Sequence, residues 1–179
     1  MRIISGTHKG RKITAPKNLP VRPTTDMAKE GLFNILNNRY YFDDISVLDL
    51  FAGIGSISFE FASRGATKVT SVDKHYGCVK FIVDTSAELE LPIQTVKSDA
   101  YKYLEQLKEQ YTIVFADPPY DFSQQRFADL ATTVLEKDIL EKNGILIIEH
   151  SKHTDLSHIK FFKSARNYGG SVFSFFSKD

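Results

Sequence analysis

The chain has 179 residues, 42% hydrophobic and 25% charged, with one cysteine and a net charge of +1, which suits one globular domain with a small appendage. Lone Cys78 excludes an internal disulfide and is compatible with a reducing cytosol; His150, His153 and His158 lack the partner spacing of a metal site, so no metal is expected. No apolar run approaches the ~18 residues of a membrane span, and the start at Met1–Gly6 is too short for a signal-peptide core, so a cytoplasmic protein is expected.

Residues 1–40 carry eight basic and two acidic side chains, whereas the remainder carries 15 basic and 20 acidic ones. This asymmetry describes a basic arm on a mildly acidic body. Basic arms attract phosphate backbones by counterion release, although a merely solvated surface has the same composition. Two domains are expected: residues 1–40 as a basic hairpin and helix suited to a phosphate-bearing partner, and residues 41–179 as the larger unit.

Arg2–Ser5 and Lys12–Ala15 are short β-type runs around Gly6-Thr7-His8-Lys9-Gly10-Arg11, which predicts a hairpin with a basic tip. Leu19-Pro20-Val21-Arg22-Pro23 must be extended, because a residue before proline is pushed out of the helical region. Thr24-Thr25-Asp26 supplies N-cap chemistry, and Ala28, Leu32, Phe33, Ile35 and Leu36 recur near helical period, predicting a helix over 26–37. Arg22, Thr24 and Thr25 precede that helix, where backbone N–H groups can hold an anion; an ordinary capped helix reads the same. Lys9, Arg11 and Lys12 join them as candidate RNA-binding residues.

From Ile45 onward strands alternate with helices. The strand candidates are 46–51, 68–73, 93–97, 111–116 and 144–149, and the helix candidates 56–64, 75–89, 99–109 and 123–137. Runs as apolar as Ile145-Leu146-Ile147-Ile148 suit a parallel sheet covered on both faces. The expected fold is therefore α/β, a doubly wound Rossmann-like sheet with ligands at the carboxyl ends of its strands. Ile159–Lys163 and Ser171–Phe176 flank Asn167-Tyr168-Gly169-Gly170 with no helix between them, which predicts a terminal antiparallel pair.

Two stretches carry the chemistry. Gly53 and Gly55 follow the 46–51 strand and open a helix, where glycine lets a ligand approach the backbone. A dinucleotide fold would place a third glycine at position 58, which is Ser58 here. Asp49 lies inside an otherwise apolar strand and needs a cationic or donor partner. The aminium group of S-adenosylmethionine (SAM) is such a partner, and loop amides are the plainer one. Asp73 ends the next strand and can accept both ribose hydroxyls. Asp99 follows the third strand, where it can accept from an adenine amino group beside the Ala100 backbone, cap the next helix, or do both. Phe51, Ala52 and Lys74 complete the cofactor set.

The second stretch is Asp117-Pro118-Pro119-Tyr120, after the strand at 111–116. Two prolines remove two N–H donors and stiffen the turn, leaving the Asp117 carboxylate and the Pro118 carbonyl as acceptors. Accepting both hydrogens of an exocyclic amine frees its lone pair for attack. Asp117 can then take the proton, and Tyr120 can stack on a flipped base. Together the two stretches suggest a SAM-dependent methyltransferase acting on an exocyclic nitrogen.

These residues resemble class I SAM-dependent methyltransferases, and the Asp-Pro-Pro-Tyr turn is similar to that of amino-group methyltransferases. With Arg2–Gly6, Lys9–Lys12, Arg22–Asp26, Asp49–Gly53, Ser63–Ala66 and Glu149–Ser151, the whole chain resembles the RsmD family of bacterial enzymes that methylate a guanine N2 in small-subunit ribosomal RNA. The resemblance implies a seven-stranded sheet with an antiparallel last strand, and an N-terminal hairpin that helps bind the ribosomal subunit. Ile54 stands where a small residue is usual, Ser58 where glycine is usual, and Met27 where a basic residue is common. An adenine-N6 enzyme, or one modifying another amino group on DNA, RNA or protein, is the alternative. A non-enzymatic RNA-binding module that kept the fold is a further one. A nicotinamide dehydrogenase would leave the Asp-Pro-Pro-Tyr turn without a role. A monomer is the default expectation.

Overall fold

The computed structural model describes residues 1–179. In chain order the elements are α1 (Asp26–Asn37), a 3-10 turn (Phe42–Asp44), β1 (Ser46–Leu50), α2 (Ser56–Ser63), β2 (Lys68–Asp73), α3 (Tyr76–Glu88), β3 (Ile93–Lys97), α4 (Ala100–Gln106), β4 (Tyr111–Ala116), α5 (Gln124–Glu136), β5 (Leu140–Ser151), β6 (Phe162–Tyr168) and β7 (Ser171–Phe176). One seven-stranded sheet runs in the order β3-β2-β1-β4-β5-β7-β6. Strands β1 to β5 pair in parallel, and β7 is antiparallel to both its neighbours. This is the class I methyltransferase arrangement.

Period-two alternation in nearly all-apolar strands accounts for the two covered faces. Leu48, Leu50, Val114, Leu146 and Ile148 share one core with Phe127, Leu130 and Val134 of α5. Their neighbours Val47, Ile113, Phe115, Ile145 and Ile147 share the other with Leu32 and Phe33 of α1 and Phe61 of α2. The expected helix and strand positions hold within a residue or two along this core, apart from the early end of α4 at Gln106 and the length of β5, which starts four residues sooner than expected.

The two ends differ from expectation. The N-terminal runs form no ladder; a single antiparallel bridge joins Arg2 to Lys12. The reason is where the donors go. Ile4 and Ser5 N–H groups donate to the two oxygens of Glu60 at 2.9 and 3.0 Å, and Thr7 N–H donates to the Ser63 carbonyl at 2.7 Å. The segment is thus docked on α2, with Ile3 and Ile13 buried against Phe59 and Ile82. At the C-terminus, β6 starts at Phe162 rather than Ile159. Ile159 is buried in the core, and Phe161 has a left-handed φ of 72° that interrupts the run. The strand itself is largely polar and lies at the sheet edge, so it has little apolar alternation to display.

Candidate active site

The strand order reverses between β1 and β4, and ligands of such sheets bind outside the carboxyl ends at that point. Leu50 pairs with Ala116, so the two loops that follow leave the sheet side by side. The Asp117 N–H donates to the Leu50 carbonyl at 3.4 Å. After Leu50 the chain turns sharply through Phe51 (φ 61°), Gly53 (φ 55°) and Gly55 (φ 79°). A left-handed phenylalanine is uncommon; its ring meets Phe122 edge-on at 5.5 Å.

A cavity of about 620 Å³ opens here, within the range of small-molecule sites. It brings together Asp49, Phe51, Ala52, Gly53, Asp73, Lys74, Asp99 and Ala100 with Asp117, Pro118, Pro119 and Tyr120. Gly55 is the exception. It lies outside the lining, and an added Cβ would sit 3.0 Å from Ile82 and Phe59, so this glycine serves helix packing rather than ligand approach.

Asp73 accepts from the Gly53 N–H at Oδ2 and the His75 N–H at Oδ1, both at 2.8 Å, which pins the loop. Asp99 caps α4, accepting from Tyr101 and Lys102 N–H groups at 3.0 and 3.2 Å. Both bonds fall on Oδ1, and the residue lines the cavity as well. The Ser56 hydroxyl, at the start of α2, lines the cavity with no partner in the protein. A buried polar atom of this kind fits a polar ligand, and the acceptor set fits a nucleoside with a cationic group.

Asp49 is 2% exposed. The Ser58 hydroxyl donates to its Oδ2 at 2.5 Å, and the Ser71 hydroxyl donates to Ser58 at 2.6 Å. Burial pushes the Asp49 carboxyl up to about 7; the Ser58 bond opposes that, and the charges of Asp73 and Glu149 add to it. Ser58, at the position where a dinucleotide fold would place a glycine, thus supplies a hydroxyl that holds Asp49, a contact the glycine spacing could not reveal.

On the target side, Pro118 is buried, Pro119 is exposed and Tyr120 is 78% exposed at the rim. Burial raises the Asp117 carboxyl well above the ordinary carboxylate range, with Glu149 and then Asp49 adding their charges. Glu149 itself was not among the expected site residues. It is buried near the end of β5, raised by burial, and its Oε2 accepts from the Thr24 hydroxyl at 2.9 Å. Nothing in local spacing ties Thr24 to Glu149, 125 residues away.

That bond turns the Thr24 hydroxyl inward, onto Glu149. Thr25 caps α1, accepting from the Ala28 N–H at 3.2 Å. Arg22 is exposed and lines the cavity. Lys9, Arg11 and Lys12 are exposed on the docked N-terminal segment, and Arg11 pairs with Glu88 at 2.5 Å. Met27 is exposed on the first turn of α1, while Ile54 is buried and lines the cavity. No helix is long and apolar enough to cross a membrane, and no group of three or more His, Cys, Asp or Glu side chains is placed to hold a metal ion.

Residues 1–177 match the protein family described as conserved hypothetical protein 95. The chain is 35% identical over 150 residues to the ribosomal RNA small subunit methyltransferase D of Escherichia coli strain K12, covering 83% of this chain and 71% of that one. It is 32% identical to the enzyme of the same name from Haemophilus influenzae, over 87% of this chain and 81% of that one. A solved hypothetical protein of Thermus thermophilus superposes with a TM-score of 0.86 at 26% identity, covering 99% of both chains. With a family match over nearly its whole length and relatives above 30% identity, the chain belongs to the RsmD-like family of SAM-dependent ribosomal RNA methyltransferases.

Proposed function

We propose that this protein transfers a methyl group from SAM to the exocyclic N2 of a guanine in small-subunit ribosomal RNA. The observation that carries this reading is that the Asp117–Tyr120 lip and the aspartates at the ends of β1, β2 and β3 line one continuous cavity. The names of the relatives point to the ribosomal RNA of the small subunit.

SAM, when bound, would supply a methyl group on a positively charged sulfur, which keeps the electron pair of the broken S–C bond and leaves as a neutral thioether. Asp49 would accept from its aminium group, Asp73 from the ribose hydroxyls, and Asp99 with the Ala100 backbone would hold the adenine. The Asp117 carboxylate and the Pro118 carbonyl would accept the two N–H bonds of the target amine, leaving the nitrogen lone pair free for attack. Positioning of this kind supplies much of the rate. As the N–C bond forms, one amine proton passes to Asp117, whose raised affinity for protons suits it to that task. Tyr120, exposed at the rim, stacks on the flipped base. Lys9, Arg11, Lys12 and Arg22 attract the phosphates around it.

Labelled SAM tests the reading. The protein is incubated with undermethylated small subunits, naked ribosomal RNA and duplex DNA, and the product nucleosides are identified by mass spectrometry. N2-methylguanosine from subunits is expected; N6-methyladenosine or its deoxy form would overturn the substrate. Asp117→Ala should lower transfer at least about 1,000-fold, with SAM affinity changed less than about threefold, because it removes both an amine acceptor and the proton acceptor. Equal loss of both would show that Asp117 serves the cofactor.

A further inference from the structure

Glu149 has no task in the transfer described above, yet it is built into the site. Ala116 of β4 lies opposite Ile148 of β5, so the next residues, Asp117 and Glu149, stand on adjacent strands at the same level. Adjacent strands are about 4.8 Å apart. The two carboxyls share a crevice with Pro118 and Tyr120, and no lysine or arginine lines it. His150 lines it too, but its ring nitrogens are engaged by the Ser174 hydroxyl and the Ser151 carbonyl, and burial lowers its affinity for a proton. Thr24 holds the Glu149 carboxyl from the N-terminal segment, and the Ser171 side chain bonds to it from β7. A buried and a half-buried carboxyl side by side without a cation are costly, and a ligand that brings N–H donors relieves that cost.

The bases differ at this edge. Guanine presents N1–H beside its 2-amino group, an unbroken row of donors. Adenine presents a bare N1 lone pair beside its amino group, which a carboxylate repels. The crevice is about 10 Å³ and opens beside the Asp117–Tyr120 turn that also lines the larger cavity, so a base held by Asp117 and Pro118 would meet it only with its edge. We propose that Glu149 is a specificity-determining residue that accepts the N1–H of the target guanine while Asp117 and the Pro118 carbonyl hold N2. This inference rests on the guanine reading above. It also gives Thr24 a role: the N-terminal segment orients the residue that reads the base.

The test uses 2-aminopurine, which keeps the reactive 2-amino group but has a lone pair in place of N1–H and lacks O6, so the change of preference in the Glu149 variant is what reports on N1. Small subunits are rebuilt with guanine or 2-aminopurine at the nucleotide that the wild-type protein methylates. Wild type should favour guanine in kcat/KM by at least about tenfold, the size of one base-edge contact. Glu149→Gln, whose amide can donate to a bare N1, should narrow that preference to within about threefold, with SAM affinity by calorimetry unchanged. Equal wild-type rates on the two bases would overturn the inference without any variant. A uniform loss by Glu149→Gln on both bases would overturn it too, since a merely structural residue behaves that way. Absence of N2-methylguanosine from wild type would sink the guanine reading itself, and this inference with it, before any variant is compared.

Discussion

Asp49 shows how a single residue sets stability against ligand binding. Its carboxyl is pushed up to about 7 by burial, against an ordinary value near 4 in the unfolded chain. The folded protein therefore keeps a proton that the unfolded chain releases, and the stability this contributes is lost as pH rises from about 4 through 7. Asp49→Asn should raise the Tm of the ligand-free protein at pH 8 by roughly 5 °C, and weaken SAM binding at least about tenfold. Wild-type SAM affinity should increase between pH 6 and 8, while that of the variant stays flat. A Tm at pH 8 that does not rise would refute the burial cost assigned to this carboxylate. Ser58→Ala removes the hydroxyl between Ser71 and Asp49. A bond to a charged acceptor contributes about 1.5–3 kcal/mol, so the variant should move the Asp49 titration further up, as read by carboxyl carbon NMR. An unmoved titration would show that the hydroxyl pair does not stabilise the charge.

The N-terminal segment illustrates the next scale. Its place is set by Glu60 of α2, fully buried, which accepts from Ile4 and Ser5 N–H groups and from Arg64 Nε at 2.8 Å, with Lys29 Nζ at 3.7 Å. Lys29 also donates to the Arg2 carbonyl, and burial lowers its affinity for a proton. Gly6 is required where the segment passes α2: its φ is +86°, and an added Cβ would lie 1.8 Å from the Ser63 carbonyl oxygen. Glu60→Ala should cost about 3–5 kcal/mol, because it leaves a buried lysine charge uncompensated. Denaturant unfolding measures the loss, and hydrogen exchange at Ile4 and Ser5 should rise with it. Protection unchanged at those two amides would mean that other contacts hold the segment. The glycines and cations of this segment were legible as a turn with a basic surface. Its docking was not, because the partner glutamate lies about 55 residues further on.

At the scale of the molecule, charge is segregated along the chain: the first 40 residues carry a surplus of six basic side chains over a body that is net acidic. The segment docks along α2 and carries Lys9, Arg11 and Lys12 on its exposed surface, while Arg22 alone of these cations reaches the cavity lining. The Arg11–Glu88 pair is half-exposed on both sides, and such pairs contribute at most about 1 kcal/mol, so Arg11 remains available to a phosphate. Arg11→Ala with Lys12→Ala should weaken binding to small subunits and reduce the slope of log affinity against log salt by about 1–2. An unchanged slope would remove both residues from the phosphate contacts.

The parallel core was legible in the sequence because burial on both faces demands apolar strands, and strand-helix alternation sets their direction. The aspartates at the strand ends and the Asp-Pro-Pro-Tyr turn were legible for a related reason, since each breaks an apolar run where only a ligand or a cap compensates. Pairings between distant residues were not. The Ser71–Ser58–Asp49 hydroxyl chain, the Thr24–Glu149 bond and the Glu60 anchor join residues from 9 to 125 positions apart. Sequence spacing carries no information about such contacts, because they depend on which strand ends and helix faces the folded sheet brings together.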